Sequence, residues 1–337
     1  MTASGMPARR TTLWHNSAPI DGSLGVDPDS PSGERSIMRV EVKFGATARP
    51  SHWRDRLRAY ARLVRIDRPI GIFLLMWPAL WALWLAGEGQ PPWSVVLIFV
   101  AGVVLMRSAG CAINDFADRE LDGHVKRTKD RPLAAGTVSP REAVGVFLVL
   151  SFIAFLLVLL LDWTTVGLSV VALGLATLYP FMKRYTHLPQ LFLGAAFGWA
   201  VPMAYTAVAG HIPGEAWVLF AATVVWALVY DTQYAMVDRE DDLAVGIKSS
   251  AILFGSHDRA VIGALQLVFF ALLVLVGLEA GRGVWYYGGV GLAVLMALYQ
   301  QWLIRDREPK PCFEAFLNNN YLGMALFVGL MLDYAIS

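Results

Sequence analysis

Of 337 residues, 56% are hydrophobic and only 16% charged, whereas an ordinary soluble domain is about one-quarter charged; water is excluded as the main solvent. The formal net charge of +1 excludes a global positive field, and with it nucleic acid as a partner, so charge must act locally. Cys111 and Cys312 stand far apart without CxxC spacing, which excludes a metal knuckle or disulfide framework and leaves both as packing residues.

Residues 1–52 are rich in Ser, Gly, Pro, Asp and Arg and lack an apolar period. Such a segment cannot offset its ordering entropy, so it is expected to be a disordered arm. It has no apolar stretch of the kind a secretory signal needs, and Met38 offers an alternative start. The membrane domain is expected over 53–337. It opens with residues 53–68, where six arginines interleave with Trp53, Leu57, Tyr60, Leu63, Val64 and Ile66 at helical spacing; this predicts an amphipathic helix on the membrane face.

Nine apolar runs follow, with cores near 70–86, 93–113, 143–161, 163–180, 190–209, 216–235, 260–279, 284–304 and 317–336. Each approaches the ~20 residues of a spanning helix, and continuous apolarity suits helices rather than the alternation of a barrel. The expected fold class is all-α, a polytopic membrane protein of nine transmembrane helices. Lys and Arg crowd the segment before the first run and the loops after the second, fourth, sixth and eighth, while the opposite loops hold only Arg282. Short basic loops stay inside, so the amino terminus is expected in the cytoplasm and the carboxyl terminus outside.

Two acidic clusters lie at the basic end. The first is Asn114, Asp115, Asp118 and Asp122, in which Asn114, Asp118 and Asp122 recur every four residues and share one face if helical. The second, Tyr230, Asp231, Tyr234, Asp238 and Asp242, places Asp231, Asp238 and Asp242 on one helical stripe. Carboxylates stacked this closely repel unless hard cations fill the gap, and Mg²⁺ commonly bridges one or two carboxylates to phosphate oxygens. Lys126, Arg127, Lys129, Arg131, Lys183, Arg184 and Lys248 accompany the clusters and can clamp a diphosphate. Taken singly, charged loops are more often simply solvated; the matched pair argues for a site.

With NDxxDxxxD and YDxxYxxxDxxxD both present, the chain resembles the UbiA family of intramembrane aromatic prenyltransferases over about residues 55–337. The resemblance implies nine helices around a central cavity opening to cytoplasm and lipid. It implies one Mg²⁺ with Asp115, Asp118 and Asp122 and a second with Asp238 and Asp242, the diphosphate being held by Arg127, Arg131 and Lys183, and Asn114 orienting the carboxylates. The wider stretches NDFADRELDGHVKRTKDRPLAAG and YDTQYAMVDREDDLAVGIKSSAILFG imply transfer from a polyprenyl diphosphate to 4-hydroxybenzoate, a step of ubiquinone biosynthesis in the bacterial inner membrane. Relatives acting on homogentisate, naphthoate, haem or a glycerol phosphate ether share the two boxes. For the acceptor carboxylate the expected cation is Arg107, seven residues before Asn114 and inside an apolar run, because an intramembrane charge is a functional candidate by default; snorkelling or pairing with a box carboxylate is the alternative. Tyr179, Tyr234 and Trp199 are expected to shield a carbocation by cation–π contact.

Gly194 and Gly198 form a GxxxG expected to allow close helix packing, and Pro78, Pro180 and Pro202 are expected to bend or end spans. His124, His187 and His211 are scattered and are not expected to hold metal. The leading alternative from another class is a cation-coupled carrier, whose site belongs near the bilayer midplane; here the acidic clusters lie at one end.

Overall fold

The computed structural model describes residues 52–124 and 127–336; the arm, apart from His52, and Lys126 fall outside them. The regular structure over this range is helical, joined by turns, with no strand among the described residues. α1 (Trp53–Leu63), α2 (Ile70–Ala86), α3 (Trp93–Asp118), α4 (Pro140–Val158), α5 (Trp163–Met182), α6 (Pro189–Gly198) and α7 (Ala200–Ala209) make up the first half. α8 (Gly214–Val237), α9 (Arg239–Val245), α10 (Ser250–Phe254), α11 (Asp258–Glu279), α12 (Val284–Leu303) and α13 (Pro309–Ile336) complete it. Eight helical segments among the described residues are long and apolar enough to cross a membrane, α6–α7 and α10–α11 each counting as one; α2, 17 residues long, occupies the remaining expected run and reaches about 25 Å at the helical rise.

Local chemistry sets several boundaries. Ser139 accepts from the Glu142 backbone N–H while Glu142 accepts from that of Ser139, with Pro140 opening the first turn, a reciprocal capping box at the start of α4. Asp162 caps α5 by accepting from Thr164 and Thr165. The break at Trp199 between α6 and α7 precedes Pro202, whose missing N–H leaves the Gly198 carbonyl without its helical donor. Pro78 and Pro180 instead lie inside α2 and α5.

The long α8 packs against α2, α6, α7, α10, α11 and α13. A Cβ on Gly194 would meet the Val224 backbone oxygen at 2.9 Å, so the GxxxG does admit the close approach of α6 to α8. Trp226 is fully buried, lies 5.2 Å from Trp81 ring to ring, and donates to Asn319 at 2.9 Å. Asn319 in turn joins Gln233, Gln300 and Gln266 in a buried amide chain across α8, α11, α12 and α13. Each amide has a partner, which is the condition for burying polar groups away from water.

α1 is anchored rather than merely adsorbed. Ala59 and Leu63 pack on Ala109, Ala112 and Phe147, Arg56 and Tyr60 donate to Glu142, and Arg62 donates to the Asp130 carbonyl. Trp53, Leu57 and Ile66 remain exposed, the face expected for membrane contact. Both cysteines are buried and free.

Candidate active site

The carboxyl-terminal turn of α3 carries the first box only in part. Asn114, Asp115 and Asp118 lie on α3, but the helix ends at Asp118 and Asp122 sits on the following 3₁₀ turn. The single stripe expected for Asn114, Asp118 and Asp122 is therefore corrected. What gathers them is Arg131: its Nη1 lies 2.8 Å from Asp122, 3.4 Å from Asp115 and 3.9 Å from Asp118. Lys183 pairs with Asp118, Asn114 donates to Asp118 at 3.2 Å, and Arg65 donates to Asp115 at 2.7 Å. These three aspartates are 1–5% exposed. Burial pushes the Asp122 carboxyl above its ordinary range, with Arg131 opposing.

The second box bends as well. α8 ends at Val237, Asp238 leaves helical geometry at φ −102° and ψ 5°, and Asp242 rides on α9; the expected stripe is broken at its middle residue. Arg127 grips Asp238 with both Nε and Nη2, at 2.9 and 2.5 Å, and lies 4.7 Å above the Tyr234 ring. Asp231 and Asp242 take no side-chain hydrogen bond among the described residues. Burial, followed by the neighbouring Asp238 charge, raises the Asp242 carboxyl to about 7.

Both boxes border one cavity of about 1460 Å³. Asn114, Asp118, Asp122, Asp231, Tyr234, Asp238, Asp242, Arg127, Arg131, Lys183 and Lys248 line its charged end, and Arg107 and Tyr179 are also on its wall. Deeper walls are apolar, including Phe99, Val103, Leu193 and Phe197. A charged mouth over an apolar interior gives an amphiphile a matching medium for each half. Among the described residues Arg107 forms no ion pair, although its charge acts on Asp231: it donates to Cys111 Sγ at 3.0 Å, lies 5.9 Å from the Phe197 ring, and leaves its buried Nε unpartnered.

Two expectations, those for Arg184 and Trp199, fail on placement. Arg184 is exposed, off the cavity wall, and donates to the Ala117 carbonyl at 2.5 Å, closing the end of α3 rather than facing a substrate. Asp115 is buried just off the wall, with its Oδ2 unpartnered and available to a cation. Trp199 donates to the Leu168 carbonyl at 3.0 Å and packs on Trp217 and Phe220, away from the cavity. The sequence reading also missed Arg65, which reaches Asp115 from the basic segment, with a left-handed φ of 57°. Nothing in its spacing separates it from five neighbouring arginines. Asn320, whose Oδ1 accepts from Trp77, was hidden as one of three consecutive asparagines.

Among the described residues, no three His, Cys, Asp or Glu side chains form a ready-made metal cage. The donors nevertheless fit Mg²⁺ in kind. Asp115 Oδ2 and Asp118 Oδ1 are buried without a partner, a costly state for carboxylate oxygens that a cation relieves. Mg²⁺ needs only one or two carboxylates, since waters and phosphates supply the rest.

The model of the UbiA prenyltransferase family matches residues 75–327. The chain belongs to the UbiA prenyltransferase family. It is 58% identical over 280 residues to the 4-hydroxybenzoate octaprenyltransferase of Alkalilimnicola ehrlichii, covering 83% of this chain and 96% of that one. Its identity to the enzyme of that name from Nitrosococcus oceani is 59% over 281 residues, covering 83% and 99%. Among solved structures, a UbiA homologue from Aeropyrum pernix K1 superposes with a TM-score of 0.70 at 29% identity, over 78% of this chain and 97% of that chain. A homologue from Archaeoglobus fulgidus bound to GPP and Mg²⁺ shares the fold with a TM-score of 0.67 at 17% identity, over 82% and 99%. The chain is thus an integral membrane prenyltransferase of all-α fold.

Proposed function

We propose that this enzyme transfers a polyprenyl group from polyprenyl diphosphate to the ring carbon ortho to the hydroxyl of 4-hydroxybenzoate, giving 3-polyprenyl-4-hydroxybenzoate for ubiquinone biosynthesis. The observation that carries it is the cavity both boxes border: acidic and basic groups at the mouth, apolar walls beneath, and in those walls an arginine that forms no ion pair among the described residues. Relatives at nearly 60% identity bear the name of that activity.

Asp115, Asp118 and Asp122 would hold one Mg²⁺, supported by the unpartnered oxygens of Asp115 and Asp118, and Asp238 and Asp242 a second, supported by their shared place on the cavity wall. Bound there, the ions would neutralise charge developing on the departing diphosphate. Arg127, Arg131, Lys183 and Lys248 supply further positive charge at the same mouth, fixed in place before the bond breaks. The allylic C–O bond breaks with its electron pair leaving on the diphosphate, the ring carbon bonds to the allylic carbon, and the ring proton passes to a carboxylate or to the released diphosphate. Apolar walls keep water from the cation, and Tyr234 and Tyr179 line the cavity as candidates for cation–π contact. Arg107 takes the acceptor carboxylate. The membrane domain is assigned to 53–337, in the bacterial inner membrane with the basic end and active site in the cytoplasm, the amino terminus inside and the carboxyl terminus outside.

The test is incubation of purified protein with 4-hydroxybenzoate and geranyl or longer polyprenyl diphosphate, with and without Mg²⁺, followed by mass spectrometry. Mg²⁺-dependent prenylated acid is the expected product. Product only with homogentisate, a naphthoate or haem keeps the family and overturns the acceptor.

A further inference from the structure

The cavity face of α3 is a stripe of Gly102, Met106, Gly110, Asn114 and Asp118 at four-residue intervals, with Arg107 beside it. Two glycines on this wall behave oppositely. A Cβ on Gly71 of α2 would fall 2.5 Å from Arg107 Nη2 and 2.7 Å from Cζ, whereas a Cβ on Gly110 would meet nothing within 4 Å. The Arg107 guanidinium therefore rests directly on the Gly71 backbone, with Cys111 accepting from Nη1 and Cζ 5.9 Å over the Phe197 ring. Gly110 lies one turn after Arg107 and one turn before Asn114. It leaves bare backbone midway along a rise of about 10 Å, between the cation and the box at which the diphosphate departs.

We infer that these two glycines shape the acceptor pocket: Gly71 seats the guanidinium that binds the acceptor carboxylate, and Gly110 leaves the space in which the aromatic ring lies. The inference rests on the reading that Arg107 takes that carboxylate. Gly71 is a positioning residue, acting only through Arg107, while Gly110 determines which ring fits. Orientation follows from the two ends: carboxylate toward Arg107, hydroxyl and ortho carbon toward Asn114 and Asp118. Near-attack geometry requires both ends to be fixed, and a slot with one polar anchor and a bare floor fixes a flat ring.

Steady-state kinetics with geranyl diphosphate, 4-hydroxybenzoate and its uncharged amide separate the parts. Gly71→Ala should raise the KM for the acid about tenfold or more, the scale of a displaced charge-assisted hydrogen bond, with the donor KM unchanged and discrimination between acid and amide reduced. In an Arg107→Ala background the same change should have no further effect, since a residue acting only through another is silent once that partner is gone. Gly110→Leu, entering open space, should keep the wild-type thermal midpoint yet raise the KM for acid and amide together. Equal effects of Gly71→Ala with and without Arg107, a parallel rise in donor KM, or loss of folded protein would overturn the seat. An unchanged acceptor KM in folded Gly110→Leu would overturn the slot. An unchanged acceptor KM in Arg107→Ala alone, or wild-type protein inert toward 4-hydroxybenzoate, would instead sink the underlying reading.

Discussion

The two acidic boxes read alike in sequence and are built differently. In the first, three nearly buried aspartates are engaged by Arg65, Arg131 and Lys183, with Asn114 donating to Asp118. In the second, Asp238 is gripped by Arg127 while Asp231 and Asp242 stand on the cavity wall without a side-chain hydrogen bond among the described residues. The first box thus holds its carboxylates among fixed charges with two oxygens left for a cation, and the second leaves two whole carboxylates without hydrogen bonds among the described residues. The division suits a donor whose diphosphate must be met by fixed charge on one side and enclosed from the other.

The comparison is broken most directly by Asp118→Ala against Asp242→Ala. Loss of Asp118 should cut turnover about a thousandfold or more, the scale of removing preorganised electrostatic stabilisation, and added Mg²⁺ should not restore it. Asp242→Ala should cost about 10- to 100-fold and be partly rescued by raised Mg²⁺, because loss of one of several metal ligands weakens an affinity that mass action restores. Turnover measured across a Mg²⁺ titration decides this; equal, unrescued losses would mean that the boxes are equivalent after all.

Arg65→Ala sharpens the same contrast through stability. Asp115 is 1% exposed and Arg65 is its strongest partner at 2.7 Å, so truncation leaves a buried carboxylate dependent on Arg131 alone. Breaking such a pair costs about 3 kcal/mol, visible as a lower thermal midpoint in detergent and a loss of turnover. Arg127→Ala in the second box should lower stability by less, since Asp238 keeps access to water, and should act chiefly by raising the donor KM about tenfold.

The helical bundle, the order of its spans and the two boxes were legible in the sequence because each depends on local pattern: apolar runs, basic loops and four-residue recurrence. Arg107 was legible for a related reason, being a charge where lipid forbids idle charges. The bends at Asp118 and Asp238 were not, since no proline or glycine marks them and the ion pairs that stabilise them come from residues distant in sequence. Arg65 was hidden by its company, one of six arginines within residues 53–68. The chain fold brings Arg131 among three carboxylates, and no spacing rule along one helix can express that.

Arg184 provides the smallest expected effect and the strictest control on the boundary of the site. It neighbours Lys183, which reaches Asp118, yet its own guanidinium points to the Ala117 carbonyl at the end of α3. Its contribution is to satisfy one of the carbonyls a helix leaves unpaired at its last turn. Arg184→Ala should therefore leave donor and acceptor KM within about twofold of wild type and shift the thermal midpoint by only a few degrees, the scale of one surface hydrogen bond. Lys183→Ala should raise the donor KM well beyond that range. A similar rise in both variants would extend the diphosphate clamp to Arg184 and turn the end of α3 from a support of the first box into part of its working surface.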